Sequence, residues 1–558
     1  MNMTAKKFMS VILSLVLICS MGLIASATDT LKGEGTKDSP YLIKTASDLD
    51  TLSALTAEGN SFSGKYISLE NDVTASADFT PIGTKDSPFS GNFLGNGNTL
   101  SGFDLDTDYA ALFGCMKRAA VSDVVISGTF YASSYAGSIA AYAENSEISG
   151  CVSSSQVYSD NYTGGIAGFV SGGKISGCKT ANSAVVVGYE ENCGGIAGFS
   201  SAEINSCENA AYIRGNKNVG GIAGTSEGKL ISSVNSVSVS ASEGNLGGIA
   251  GLAKGEIKYC KNTGRISASA AGAGKTGGIA GVTADCTLSE CISTGSVSGT
   301  GEYAGGIAGY VTGGKISDCV AAGSVSIISD FAGGIFGSTS KTEVVRCLFA
   351  GAVTANSEKI AAIGAISGGT VADCYYDSEK NEKAFVSAVS ASGAKGITAS
   401  DMLNEAAFNN WDFTKVWEIN ELHASYPLLK NVPFHTLSVV SETAANCTEE
   451  GVKVSLCSVC HGEVKVTTPA TGHTLKVVSE KLPSCSVAGY RDEVCENCTY
   501  TSSEDIPALG HKDTDSDKKC DLCGSAYSGD KADSEKSIFQ KIADFFRSIL
   551  DWFRNLFK

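Results

Sequence analysis

The chain has 558 residues, with 42 Lys and Arg against 59 Asp and Glu, a formal net charge of −17, 20 cysteines and only 5 histidines. So acidic a surface gives a phosphate backbone nothing to bind, which excludes nucleic acid as a partner. The length would admit several globular domains, but an internal repeat makes most of it one elongated body.

The first residues carry Lys6 and Lys7, an apolar run from Phe8 to Ile24, and Ala25-Ser26-Ala27. This pattern predicts a secretory signal over residues 1–27 with an A-x-A cleavage site, and hence a secreted, extracellular and cell-surface-associated protein. Residues 28–109 are expected to form an N-terminal cap and the first coils. Ser47-Asp48 ahead of Leu49, Leu52 and Leu55 predicts an N-capped amphipathic helix suited to cover the first coil.

From Ala110 the sequence repeats itself. Gly-Gly-Ile-Ala-Gly begins at Gly164, Gly194, Gly220, Gly247, Gly277 and Gly305, with looser copies at Ala110, Gly137, Gly333 and Gly364. The period is roughly 28 residues over about ten coils. Each repeat holds three short β-type pieces separated by Gly, Ser and Asn, as in Lys174-Ile175-Ser176-Gly177-Cys178 and Gly295-Ser296-Val297-Ser298. The predicted fold is therefore all-β: a parallel β-helix over residues 110–378, closed by residues 379–432.

Cys151, Cys178, Cys207, Cys260, Cys291, Cys319 and Cys347 fall at one position of the repeat, with Val234 expected in the coil that lacks a cysteine. A buried ladder of thiols is the reading preferred over rung-to-rung disulfides. A second stack precedes the glycines: Asn192, Asn218 and Asn245 in three coils, and Tyr135, Tyr162, Tyr303 and Phe331 in others. Such ladders brace a solenoid, and exposed aromatics also grip sugars.

The Gly-Gly-Ile-Ala-Gly copies, the entry segment Gly35 to Ile43, the stretch Phe89 to Gly97 and the closing Trp411-Asp412-Phe413 to Trp417 with Tyr426-Pro427-Leu428 together resemble GLUG-motif proteins. The resemblance implies a secreted or surface-attached bacterial protein with a β-helical repeat region. Some members of that family are zinc peptidases that cleave immunoglobulin A. This chain has no His-Glu-x-x-His, so that activity is not implied.

Past Pro433 glycine thins out and a Cys/His repeat module, residues 433–527, takes over. Cys447, Cys457, Cys460 and His473 are matched about 38 residues later by Cys485, Cys495, Cys498 and His511, both reading C-x9-C-x2-C-x12-H, and a partial third copy supplies Cys520 and Cys523. Three thiolates and an imidazole per unit predict structural zinc. Disulfides are the alternative in an exported module, although they leave the histidine unexplained. The units resemble Cys/His repeats of surface proteins from anaerobic Gram-positive bacteria. Cys457-Ser458-Val459-Cys460-His461 spells a haem-attachment motif, but His461 is replaced by Thr499 and Gly524 in the other copies, so no haem is expected. Asp513 to Asp517 lacks the glycine and glutamate of a calcium loop and reads as a solvated acidic linker.

After a polar linker, residues 528–537, the run from Ile538 to Phe557 is spaced as a helix with an aromatic stripe and a slightly cationic back. Residues 538–558 are expected to bind a bacterial membrane surface or a partner helix. Taken together, the sequence reads as a non-enzymatic adhesin or surface stalk that binds a glycan or a surface protein. The alternative is a polysaccharide lyase or hydrolase on a β-helix. The coils offer it only Arg118, Arg214, Arg265 and Arg346, in different repeats, and no histidine before His423.

Overall fold

In the computed structural model the described residues are 31–269, 274–328, 331–355, 358–386, 393–419, 425–432, 437–457 and 463–526. The expected signal and C-terminal helix lie outside them. Two compact units divide between His435 and Thr436. The first is a parallel β-solenoid of about 12 turns with little helix. The count exceeds the ten repeats because the entry segment already coils: Tyr41–Ile43, Tyr66–Leu69 and Asn92–Leu94 pair in parallel as successive rungs.

Each turn is cut more finely than the sequence pattern suggests. The turn after Gly220 holds five short strands, Ala223–Ser226, Lys229–Ile231, Val234–Asn235, Val239–Ala241 and Asn245–Gly247. Across the turns these align into sheets of 22 and 29 described strands. The sequence pattern shows only three pieces because two-residue strands such as Val234–Asn235 are too short to leave a period-2 signature.

The isoleucine of the pentapeptide fills the interior. Ile166, Ile196, Ile222, Ile249, Ile279, Ile307, Ile335 and Ile363 are all fully buried, each stacked on the next. Burying one contributes about 1.5–3 kcal/mol. The preceding glycine is demanded by the approach of the next turn: a Cβ on Gly221 would stand 2.1 Å from the Gly248 carbonyl oxygen.

The cysteine ladder is present and buried, with every thiol of the described residues free. Each sulfur donates to the carbonyl two residues before it, as in Cys207 to Asn205 at 3.5 Å and Cys291 to Ser289 at 3.2 Å. Cys374 adds a further rung beyond Cys347 and donates to Ala372 at 3.4 Å. Ser233, not Val234, interrupts the ladder: its hydroxyl donates to the Ile231 carbonyl at 2.9 Å in the same way, and Val234 pairs instead with Glu208 and Lys261. The offset from the glycines varies between 13 and 14 residues among the coils, Ser233 sharing the 13 of Cys207 and Cys260, so counting alone does not choose between Ser233 and Val234. The residue before each ladder position is left-handed, from Ser232 at φ 48° to Gly150 and Gly177 at 62°, which ends one strand and turns the next side chain inward.

A second, buried ladder has no signature in the repeat pattern. Asn209 donates to Asn235 and Asn235 to Asn262, both at 2.8 Å, while Thr180 donates to Asn209 at 2.6 Å. Asparagine can both donate to one rung and accept from the other, so a column of them satisfies itself inside the core. The expected stack at Asn192, Asn218 and Asn245 is likewise bonded rung to rung. Outside, lysine and glutamate face each other across turns, as in Lys174–Glu203 and Lys179–Glu208 at 3.0 Å and Lys315–Glu343 at 2.8 Å.

The helix Ala46–Ala57 begins two residues before the expected cap. Thr45 is the N-cap, reciprocated by Asp48 in a capping box. Leu49 and Leu52 enter the solenoid core and Ser53 donates to the Thr80 carbonyl at 2.8 Å.

Candidate metal centre

The second unit builds its sites from two three-stranded antiparallel sheets. The first contains Leu437–Thr443, Gly451–Cys457 and Glu463–Thr468; the second contains Leu475–Lys481, Gly489–Cys495 and Thr501–Ile506. In the second sheet Cys495 ends the middle strand opposite Leu475, next to His473. Cys485 lies in the loop at the other end of the same strand. Seven extended residues span about 20 Å, so the two cysteines of C-x9-C stand at opposite ends of a sheet and cannot share one ion.

The ligands therefore group across repeats. Cys447 and His473 meet Cys495 and Cys498, and Cys485 and His511 meet Cys520 and Cys523, with the ligand atoms of each set within 4.8 Å of one another. In the first set Cys447 and Cys495 sulfurs are 3.7 Å apart and Cys498 Sγ lies 3.3 Å from His473 Nδ1. In the second, Cys485 and Cys520 are 3.6 Å apart and Cys523 lies 3.4 Å from His511 Nδ1. Both sets can hold a metal ion. The within-repeat grouping expected from the sequence differs from this one: the knuckle of each copy closes the cysteine and histidine of the copy before it. The side chain of Cys457, and Cys460 altogether, fall outside the described residues.

Electrostatics within each set are uneven. The Asn497 N–H donates to the Cys495 sulfur at 3.4 Å and, with help from His473, lowers that thiol to about 6. A backbone hydrogen bond at Lys512 is the chief cause that brings Cys520 to about 6. Desolvation instead lifts Cys447 and Cys485 to about 11. Cys495 and Cys520 thus present a thiolate before Cys447 and Cys485 do. His473 is further oriented by stacking on Tyr500, ring centroids 4.0 Å apart and 10° from parallel.

The acidic stretch is folded rather than strung out. Asp513, Asp515 and Asp521 converge, Thr514 N–H donates to Asp521 at 2.9 Å and Lys518 N–H to Asp513 at 3.0 Å. Side-chain to backbone bonds of this kind form at short Asp-x-Asp spacing and are invisible to a pattern search for a calcium loop.

Residues 300–326 match the GLUG motif. A "Putative Gly-rich membrane protein" of Evansella cellulosilytica is 35% identical over 107 residues, covering 18% of this chain and 12% of that protein. A crystal structure described as "a putative immunoglobulin A1 protease" from Bacteroides ovatus aligns with 72% of this chain and 94% of its own, at 18% identity and a TM-score of 0.27. No helix of the described residues is long and apolar enough to cross a membrane.

Proposed function

We propose that the chain is a secreted, cell-envelope-associated protein without catalytic activity, whose β-solenoid is an adhesive surface or stalk for a glycan or surface protein and whose Cys/His module is a zinc-stapled spacer. The observation that carries the reading is the closed, repeat-bridging form of the two Cys3His sets. Structural zinc is four-coordinate with no open position, whereas catalytic zinc keeps one ligand site for water. A Zn–S bond of ~2.3 Å in a tetrahedron places sulfurs about 3.8 Å apart, close to the 3.7 and 3.6 Å found. Three thiols around one point would leave an odd sulfur in any disulfide pairing, and the histidine would have no role. An ion at each junction ties the end of one three-stranded sheet to the next stretch of chain, which is the kind of staple a small domain with little core needs. The GLUG match and the partial likeness to a Gly-rich membrane protein favour an envelope location.

The test incubates the whole chain with immobilised plant and host polysaccharides and mucin, scoring retention and release of new chain ends. Retention without release is expected. Release would assign an enzyme instead, and neither outcome would leave a stalk whose partner is the bacterium's own envelope.

A further inference from the structure

The aromatic residues at one corner of the solenoid form two adjoining rows. In one, Tyr142, Phe169 and Phe199 stack on successive turns, with centroids 5.1 and 4.6 Å apart and planes within 8° of parallel. In the other, Tyr109, Tyr135 and Tyr162 stack at 5.0 and 5.1 Å. Between the rows the rings meet edge to face: Tyr135 against Tyr142 at 5.8 Å and 88°, Tyr162 against Phe169 at 5.2 Å and 88°.

The first row stops at Tyr142 because the rung before it is Cys115, whose short side chain covers little of the ring. Tyr109 continues the second row one turn further, and among the described residues no ring stands beside it as Tyr142 stands beside Tyr135. What remains is a cavity of about 560 Å3 over the bare face of Tyr142, walled by Tyr109 and floored by Cys115. Its rim carries Lys85, Asp86, Lys117 and Glu144, the last two paired at 3.0 Å. The volume falls within the ~300–1,000 Å3 range of small-molecule sites.

We infer that this cavity is a binding site for a neutral pyranose unit of a saccharide, stacked on Tyr142. A pyranose has one face of C–H bonds, whose slightly positive hydrogens suit the negative face of an aromatic ring. Its equatorial hydroxyls point outward in the ring plane, where two cations and two carboxylates can donate to and accept from them. The four rim charges cancel, so the site does not select an ionic ligand. A purely apolar guest would make no use of the donors and acceptors of this rim. The inference rests on the adhesive reading above and gives it a ligand class.

The test titrates the whole chain with cellobiose, lactose, maltose and N,N′-diacetylchitobiose by calorimetry, with saturation-transfer NMR to map the sugar face in contact. At least one disaccharide is expected to bind, with the strongest transfer to its axial C–H protons. Tyr142→Ala is expected to weaken binding at least tenfold, Tyr142→Phe less than threefold, and Asp86→Asn about three- to tenfold. Tyr310→Ala is the control: it truncates a ring that packs against the Tyr303–Phe331 stack, beside a cavity lined by Ser338, Ala365 and Ser367 without the charged rim. It should leave affinity unchanged. Equal losses in Tyr142→Ala and Tyr310→Ala, or none in either, would overturn the site. Retention of both wild type and Tyr142→Ala on immobilised polysaccharide would overturn the site while leaving the adhesive reading intact. Failure of wild type to bind any disaccharide or polysaccharide would overturn both the site and the glycan-binding form of that reading.

Discussion

Replacing Cys498 with serine is expected to remove the same ion as replacing Cys447, although the two residues belong to different repeats. Structural zinc sites in small peptides bind with roughly 10–16 kcal/mol, or about 2.5–4 kcal/mol per ligand if shared equally among four. Losing one thiolate should then weaken the site by about two to three orders of magnitude. The assay is metal content after dialysis against a chelator whose affinity lies between intact and damaged sites. Cys447→Ser, Cys498→Ser and the double variant should each hold one ion fewer than wild type, with no further loss in the double. Cys485→Ser and Cys523→Ser should behave likewise for the second ion. Cys460→Ser should keep both, since each set already brings four ligands together. The interlocked geometry is refuted if Cys460→Ser loses the ion held by Cys447 while Cys498→Ser retains it.

Gly221→Ala should lower the melting temperature of the solenoid sharply, because its Cβ would collide with the Gly248 carbonyl oxygen, and circular dichroism during heating measures the loss. Ile249→Ala, in the fully buried column, is expected to cost about 2–5 kcal/mol in denaturant titration, larger if the stacked turns cannot relax into the cavity. Ser233→Cys should stay within about 1 kcal/mol of wild type by the same titration, since a thiol at this rung can donate to the Ile231 carbonyl as its neighbours do. Glu203 is held below the usual carboxylate range, first by its hydrogen bond with Lys174 and then by Asn205. Its contribution is present above the unfolded pKa and is lost as pH falls through the lower folded value. Glu203→Gln should therefore melt slightly below wild type at pH 7, by the ~0.2–1 kcal/mol of an exposed pair, and at the same temperature near pH 2. A difference that persists in acid would assign the effect to packing.

The sequence by itself determined the solenoid. Glycine, isoleucine and cysteine recur at a near-constant period, because each turn meets the same neighbours and so needs the same side chain at the same place. It also pointed to the thiols and imidazoles of the module as candidate metal ligands, eight of which the structure gathers into two sets that could hold an ion. Tertiary structure decided what a period cannot. Turn lengths vary by a residue or more, so only strand pairing shows that Ser233, and not Val234, fills the thiol ladder. Asn209, Asn235 and Asn262 look like surface residues until the register stacks them inside. The metal sets depend on strand length: an extended segment carries Cys485 and Cys495 to opposite ends of a sheet, so a histidine and a cysteine of one repeat are completed by the knuckle of the next. A repeat in sequence marks what recurs, and the rise of the chain per residue decides which copies touch.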